Sequence, residues 1–213
     1  MTDVTVRVLG EDDWAAFRAI RLAALNDAPD AFAASLEEEQ GYAEDFWRLR
    51  LRRSARLLAE GDGSDGEPSR LGVVSLGEGK DEGKDEGKGE GKGEGKGEGK
   101  GEGKGEGKDE DGRVAEIFGL WVAPAARGTG VATKLVEASA ERARQDGRTH
   151  VSYWVGTDNG RAVAFASGIG FRPTDFRRPM RVASDDGEEE IAMVLPLGAD
   201  RGRPVNLWGP RVR

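Results

Sequence analysis

Cysteine is absent from the 213 residues, and histidine occurs once, as His150. Without cysteine there is no disulfide framework, no thiolate nucleophile and no Cys-based zinc or iron–sulfur site. One imidazole cannot build a multi-histidine metal centre, so no metal is expected. No run of about 18 apolar residues could span a bilayer. The opening stretch MTDVTVRVLGEDD is acidic and has no apolar signal core. These absences predict a soluble, cytoplasmic protein without a membrane partner. An excess of basic charge is missing as well: 32 Lys and Arg face 40 Asp and Glu, interspersed on both sides of the chain's midpoint. No nucleic-acid footprint is expected from such a balance.

What the chain has in abundance is glycine, and it is unevenly placed. From Gly77 to Gly112 all 36 residues are Gly, Glu, Lys or Asp, in counts of 15, 9, 8 and 4. This tract repeats every four residues, far below the roughly 20–50 that mark a solenoid. With nothing apolar to bury it is expected to be a flexible, solvated loop. It carries 8 lysines against 13 carboxylates, so the remaining 177 residues hold 24 basic against 27 acidic groups and are nearly balanced. All the apolar residues fall in that remainder, where they reach about 45%, close to the globular average. Loop-closure entropy grows slowly with length, so the tract reads as a hairpin insertion inside one domain, residues 1–197, with a polar tail from 198 to 213. Eight of the nine lysines lie in it and only Lys134 lies outside.

Period-2 and period-3.6 patterns divide the rest. Val4–Val8 alternates as a strand, Glu11-Asp12-Asp13 opens a helix carrying Trp14, Phe17 and Ile20, and Pro29 ends it. A second helix is predicted over Ala43–Ala55, then strands at Arg56–Ala59, Arg70–Leu76 and Arg113–Val122. A helix follows from about Gly130 to Gln145, a strand at Thr149–Val155, a short helix capped by Asp158-Asn159, and strands at Phe171–Val182 and Glu188–Leu197. The order is β-α-α-β-β-β-α-β-α-β-β.

Between the Arg113–Val122 strand and the next helix stands Val122-Ala-Pro-Ala-Ala-Arg127-Gly128-Thr129-Gly130-Val131-Ala132. Glycines there let the backbone approach a ligand, and the first helical N–H groups with the positive dipole end favour an anion. There is no Gly-Lys-Ser/Thr ending and no G-x-G-x-x-G spacing, so neither a Walker loop nor a dinucleotide fingerprint is present. A tight turn that needs glycine for positive φ remains the alternative. The stretch resembles the pyrophosphate motif of the GNAT superfamily of N-acetyltransferases, Gln/Arg-x-x-Gly-x-Gly/Ala, at Arg127, Gly130 and Ala132. Further on, Asn159-x-x-Ala162, Phe165, Gly170 and Phe171 resemble the family's N-x-x-A…G-F helix and turn.

The resemblance implies an α/β (α+β) fold with a mixed, mostly antiparallel central sheet flanked by helices. It also implies acetyl-CoA as cosubstrate between splayed fourth and fifth strands. Backbone N–H groups from Gly128 through Thr129, Gly130, Val131 and Ala132 to Thr133 would hold the pyrophosphate. Leu120, Trp121 and Val122 would line the pantetheine, with a main-chain N–H near Val122 serving the oxyanion. Asn159 would face the pantetheine or act as a helix N-cap. Ala162 and Phe165 would follow it along the cofactor.

Acetylation needs a neutral amine, hence a base. Glu116, in Ala115-Glu116-Ile117, resembles the base glutamate of histone-acetylating members; an ordinary solvated or ion-paired strand glutamate is the equal alternative. Even spacing would put Glu116 and Val122 on one strand face, which the bulge usual in the family would alter. Where many members carry a tyrosine acid, seven residues after the asparagine, this chain has Ala166. Tyr153 is the substitute considered, though an aromatic strand residue is more often packing. His150 reads as an edge or exposed histidine, and the arginines between Arg172 and Arg181 as an exposed ion-pairing face. Phe32, Glu37, Glu38 and Trp47, in a stretch similar to small bacterial members, are candidates for contact with the acceptor. The predicted activity is transfer of acetyl to a small-molecule or peptide amine by direct attack in a ternary complex, in a monomer or homodimer. The alternative is a non-catalytic acyl-CoA-binding or sensory domain.

Overall fold

The computed structural model describes residues 3–63, 68–77, 113–180 and 188–198. The expectations for the tract beyond Gly77, for Arg181 and Val182 and for the tail beyond Gly198 fall outside these residues. The elements are β1 (Thr5–Val8), α1 (Trp14–Asp27), α2 (Leu36–Gln40), α3 (Glu44–Arg53), β2 (Ala55–Gly61), β3 (Ser69–Gly77), β4 (Val114–Val122), α4 (Val131–Gln145), β5 (His150–Gly156), α5 (Gly160–Gly168), β6 (Arg172–Pro179) and β7 (Glu189–Pro196). The predicted order holds except for α2, a single turn started by Ser35, whose Oγ accepts from Glu38 N at 3.2 Å. Three consecutive acids dominate that turn, which hid its apolar periodicity.

The strands form one sheet in the order β1-β2-β3-β4-β5-β7-β6, antiparallel except for β4 beside β5. This is the mixed, mostly antiparallel sheet flanked by helices that the resemblance implied. Alternation along the strands gives it two apolar faces. On one, Leu57, Val74, Ala115, Ile117, Val151, Val155 and Met193 meet Leu135, Val136, Ala140 and Ala143 of α4. Those four lie on one stripe of the helix, as period 3.6 requires. On the other face Leu58, Val73 and Trp121 meet Phe17, Ile20 and Ala24 of α1 and Trp47 and Leu51 of α3. Among the described residues no helix is long and apolar enough to cross a membrane.

Two irregularities of β4 matter for function. Val73 opposes Trp121 while Ser75 opposes Phe118, so β4 carries one residue more than β3 between these pairs. Gly119 sits in that bulge at φ +59°, a conformation that costs other residues about 1–2 kcal/mol. The second is the pairing with β5, which runs only from Val114 beside His150 to Ile117 beside Tyr153. Beyond it β4 stays with β3 and β5 stays with β7. The two central strands therefore part into a wedge.

Candidate active site

The glycine turn lies at the open end of this wedge. A single 3-10 turn, Pro124–Ala126, leads to Gly128 at φ +79° and Gly130 at φ +89°. Gly130 is the N-cap of α4 and offers no side-chain cap, so the first N–H groups of the helix have no partner on their own chain from that residue. A Cβ built on Gly128 or Gly130 would meet nothing within 4 Å. The space in front of the helix end is open, and the macrodipole makes it favourable for an anion.

Arg127 does not reach into that space. Its guanidinium is ion-paired with Asp27 at the end of α1, and its Nε donates to Val122 O at 3.1 Å. Trp121 Nε1 donates to the same Asp27 carboxylate at 2.8 Å. The indole hydrogen bond first, and the Arg127 guanidinium after it, outweigh desolvation and hold Asp27 below the usual carboxylate range. Arg127 and Asp27 thus clamp the glycine turn to the first helix.

Along β4, Ala123 N donates to Leu71 O at 2.9 Å. Alternation then turns the N–H of Val122 the other way, toward the wedge. The bulge resolves the question of faces. Ala115 and Ile117 lie on the α4 side, so Glu116 lies on the α1 side, whereas Leu120 and Val122 pack on the α4 side. Without the extra residue Glu116 and Val122 would share a face; with it they stand on opposite faces.

Glu116 is buried, with 4% of the residue exposed. Arg178 of β6 brings Nη2 to 3.6 Å from its carboxylate and donates through Nε to Glu190 of β7 at 2.6 Å. The same guanidinium lies 4.0 Å from the centre of the Trp154 ring. Two strands away, Arg56 is stacked between Phe17 and Phe118 at 5.4 and 5.0 Å. The α1 face of the sheet beside the wedge therefore carries a carboxylate, guanidiniums and aromatic rings packed together.

A family model for the acetyltransferase (GNAT) family matches residues 22–171. The chain belongs to this family. A stretch of 62 residues is 40% identical to an uncharacterized N-acetyltransferase of Methanocaldococcus jannaschii, covering 29% of this chain and 27% of that protein. The match thus spans about a quarter of that relative's length. In fold the chain is similar to YncA of Salmonella typhimurium, solved with its cofactor acetyl-CoA, at TM-score 0.59 and 18% identity over 92% of this chain and 95% of that one. It is also similar to the GNAT-family acetyltransferase of Streptococcus pneumoniae, at TM-score 0.62 and 14% identity over 92% of this chain and 100% of that one.

Within the GNAT frame the other candidates are placed as follows. Asn159 caps α5, its Oδ1 accepting from Ala162 N at 3.0 Å. Ala162 and Phe165 are partly buried against the α4-side core. Ala166 is fully buried in that core, so the position of the family tyrosine is packing here. Tyr153 is the last β5 residue paired with β4 and meets Phe171 edge-on at 6.2 Å. Burial, and after it the charge of Glu190, push its hydroxyl above the ordinary value, so it is protonated near neutral pH. Thr129 spends its hydroxyl on Ala126 O at 2.7 Å, and Val131 is a core residue. Ala132 and Thr133 are half-buried in the first turn of α4.

Three expectations need correction. Trp47 has no exposed surface; it packs in the core with Phe17 at 5.7 Å and donates to Tyr42 O, so it has no face for an acceptor. His150 lies on a central strand, buried, with Nδ1 2.9 Å from Thr149 Oγ1. Arg178 is turned inward, while Arg172 and Arg177 are exposed. Phe32 is half-buried under Arg21 at 4.5 Å, Glu37 is exposed, and Glu38 accepts from Tyr42 Oη at 2.7 Å. The spacing did not single out Glu39, which is 1% exposed and bonded by Arg21 at 2.7 Å and Arg50 at 3.0 Å. A glutamate in a run of three carries no signal of its own until the two arginines of neighbouring helices are brought to it.

Proposed function

We propose that the protein is an acetyl-CoA-dependent N-acetyltransferase in which an amine attacks the thioester directly within a ternary complex. The observation that carries this reading is the wedge between β4 and β5 opening onto an uncapped helix N-terminus with clear space before Gly128 and Gly130. A pyrophosphate fits that end: the N–H groups from Gly128 to Thr133 donate, and glycine leaves room for the phosphate oxygens. Leu120 and Val122 lie along the wedge to pair with an extended arm in the manner of an added strand. The N–H of Val122 is aimed to donate to the carbonyl oxygen and to the oxyanion that develops from it.

The acceptor enters from the α1 face, where Glu116 accepts the proton that an alkylammonium must lose before attack. With no cysteine in the chain, a covalent acetyl-cysteine route has no nucleophile. Tyr153 is the candidate donor to the departing thiolate. The acceptor is a small-molecule or peptide amine; Phe32 and Glu37, on the connection and the turn that follow α1, are the candidates for contact with it. CoA release measured with a panel of amines tests the reading, and no turnover with any amine despite acetyl-CoA binding would sink it. One observation favours the alternative of a binding-only domain: Ala166, buried in the core, leaves the family's acid position without chemistry.

A further inference from the structure

Asp27 is the last residue of α1, a place where helix electrostatics disfavours a carboxylate. The C-terminal end carries the negative pole of the dipole, and the last turn of α1 holds no basic side chain to offset it. Nothing within α1 accounts for this acid. Its partners lie 94 and 100 residues further along the chain, and both meet the same oxygen: Oδ2 accepts from Trp121 Nε1 at 2.8 Å and pairs with the Arg127 guanidinium.

The turn that Asp27 reaches has little else to hold its shape. Gly128 and Gly130 are both left-handed, and nothing stands within 4 Å of where their Cβ atoms would be, so no packing fixes them from the front. Thr129 bonds back to Ala126 through both its N–H and its hydroxyl, inside the turn. Among the described residues, Asp27 is the one hydrogen-bonding or ion-pairing partner outside the turn that a side chain of residues 124–130 finds. The pair is open to solvent, with 52% of the Arg127 side chain and 23% of the Asp27 side chain exposed. Such a pair adds little to global stability. Its effect is local: with Arg127 Nε on Val122 O, it closes the chain between the end of β4 and the start of α4 onto α1.

We propose that Asp27 is a positioning residue for the acetyl-CoA site, holding Arg127 and Trp121 so that the glycine turn has its binding shape before the cofactor arrives. The proposal rests on the acetyl-CoA reading above. A turn already ordered spares the cofactor the cost of ordering it. Charge alone predicts the opposite sign, because an acid beside an anion site repels the anion, and its removal would tighten binding. So does a direct bond from Arg127 to a phosphate, for which Asp27 would be a competitor.

The test is acetyl-CoA affinity of the full chain, by direct titration, in the parent, Asp27→Ala, Arg127→Gln and the double variant, with Tm measured beside it. Asp27→Ala is expected to weaken acetyl-CoA at least fivefold with Tm little changed, and Arg127→Gln by a similar factor. The double variant should bind no more weakly than the weaker single one, since both changes break one contact. Tryptic cleavage of the Arg127–Gly128 bond, followed by mass in the cofactor-free chain, reads the turn without any ligand; it should be at least fivefold faster in Asp27→Ala than in the parent. Unchanged or tighter binding in Asp27→Ala, additive losses in the double variant, or an unchanged cleavage rate would each overturn the proposal. A parent that fails to bind acetyl-CoA would sink the acetyl-CoA reading and this proposal with it, whereas equal binding by parent and Asp27→Ala would sink the proposal alone.

Discussion

Arg178 places one guanidinium between Glu116 of β4 and Glu190 of β7, 3.6 Å from the first and 2.6 Å from the second. The candidate base is thereby linked to the β6–β7 pair, on the far side of β5. The shorter contact, supported by the Trp154 ring, fixes the arginine; the longer one is where an incoming ammonium can compete. Because Glu116 is nearly inaccessible and Arg178 is about a quarter exposed, Arg178→Met is expected to destabilise by about 1–3 kcal/mol. The double variant with Glu116→Gln should cost less than the sum of the two, by at least about 0.5 kcal/mol. Strict additivity in denaturant unfolding would show that the two side chains do not interact.

Glu116→Gln keeps the shape of the side chain and removes its ability to take a proton. Turnover is expected to fall by about 10²–10⁴-fold, the usual contribution of a positioned base. Acetyl-CoA affinity should stay the same, because the carboxylate lies on the face of β4 opposite Val122. The check is kcat from CoA release beside a direct binding titration. A loss of cofactor affinity equal to the loss of rate would move Glu116 from proton transfer to folding.

Gly130→Asp sets a side chain and a negative charge where the pyrophosphate is expected. Nothing on the chain lies within 4 Å of the added Cβ, so the only intrinsic cost is the φ of +89°, about 1–2 kcal/mol. The variant should stay folded and lose acetyl-CoA binding by at least a hundredfold. Binding that survived the change would remove the glycine turn from the site.

The strand–helix order and the glycine turn were legible because both are local: alternation, helical spacing and glycine at a strand-to-helix joint are written in neighbouring residues. The bulge was not, since Gly119 reads as one more small strand residue until its register against Ser75 and Val73 is known. Trp47 misled for the same reason. A likeness to the acceptor region of other members says nothing of which way Trp47 points, and α3 presents it, with Arg50, to the core while Arg52 and Arg53 stay exposed. Arg178 and Glu190 lie on strands that meet only through the β6–β7 pairing, so no spacing along the chain brings them to Glu116.

Glu39 makes the sharpest case for stability. Burial pushes its carboxyl up, but hydrogen bonds from Arg21 and the charges of Arg50 and Arg21 outweigh that and hold it below the ordinary 4.5. A depressed carboxyl stabilises fully above its unfolded value and loses that contribution as pH falls through the lower folded value. Glu39→Gln should therefore cost about 3–5 kcal/mol at pH 7, leaving two guanidiniums facing a neutral amide. That corresponds to a fall in Tm on the order of 10 °C. The gap between the variant and the parent should narrow as pH drops below 4.5. A gap that stayed constant down to pH 3 would mean that the charge on Glu39 is not what stabilises this network.

The missing family tyrosine can be tested from both ends. Ala166→Tyr cannot restore an acid, because the position is fully buried among the residues under α4. It should instead overpack the core by about 1–3 kcal/mol and leave turnover no higher. Tyr153→Phe keeps the edge-on contact with Phe171 and removes only the hydroxyl. That hydroxyl is protonated at neutral pH through burial and the charge of Glu190. Its loss should lower kcat at least tenfold with Tm unchanged, and the deficit should be relieved with a thioester whose leaving thiol is more acidic. Equal rates in Tyr153→Phe and the parent would mean that the CoA thiolate departs without a donor, as a thiol with a pKa of about 8.5 is able to do.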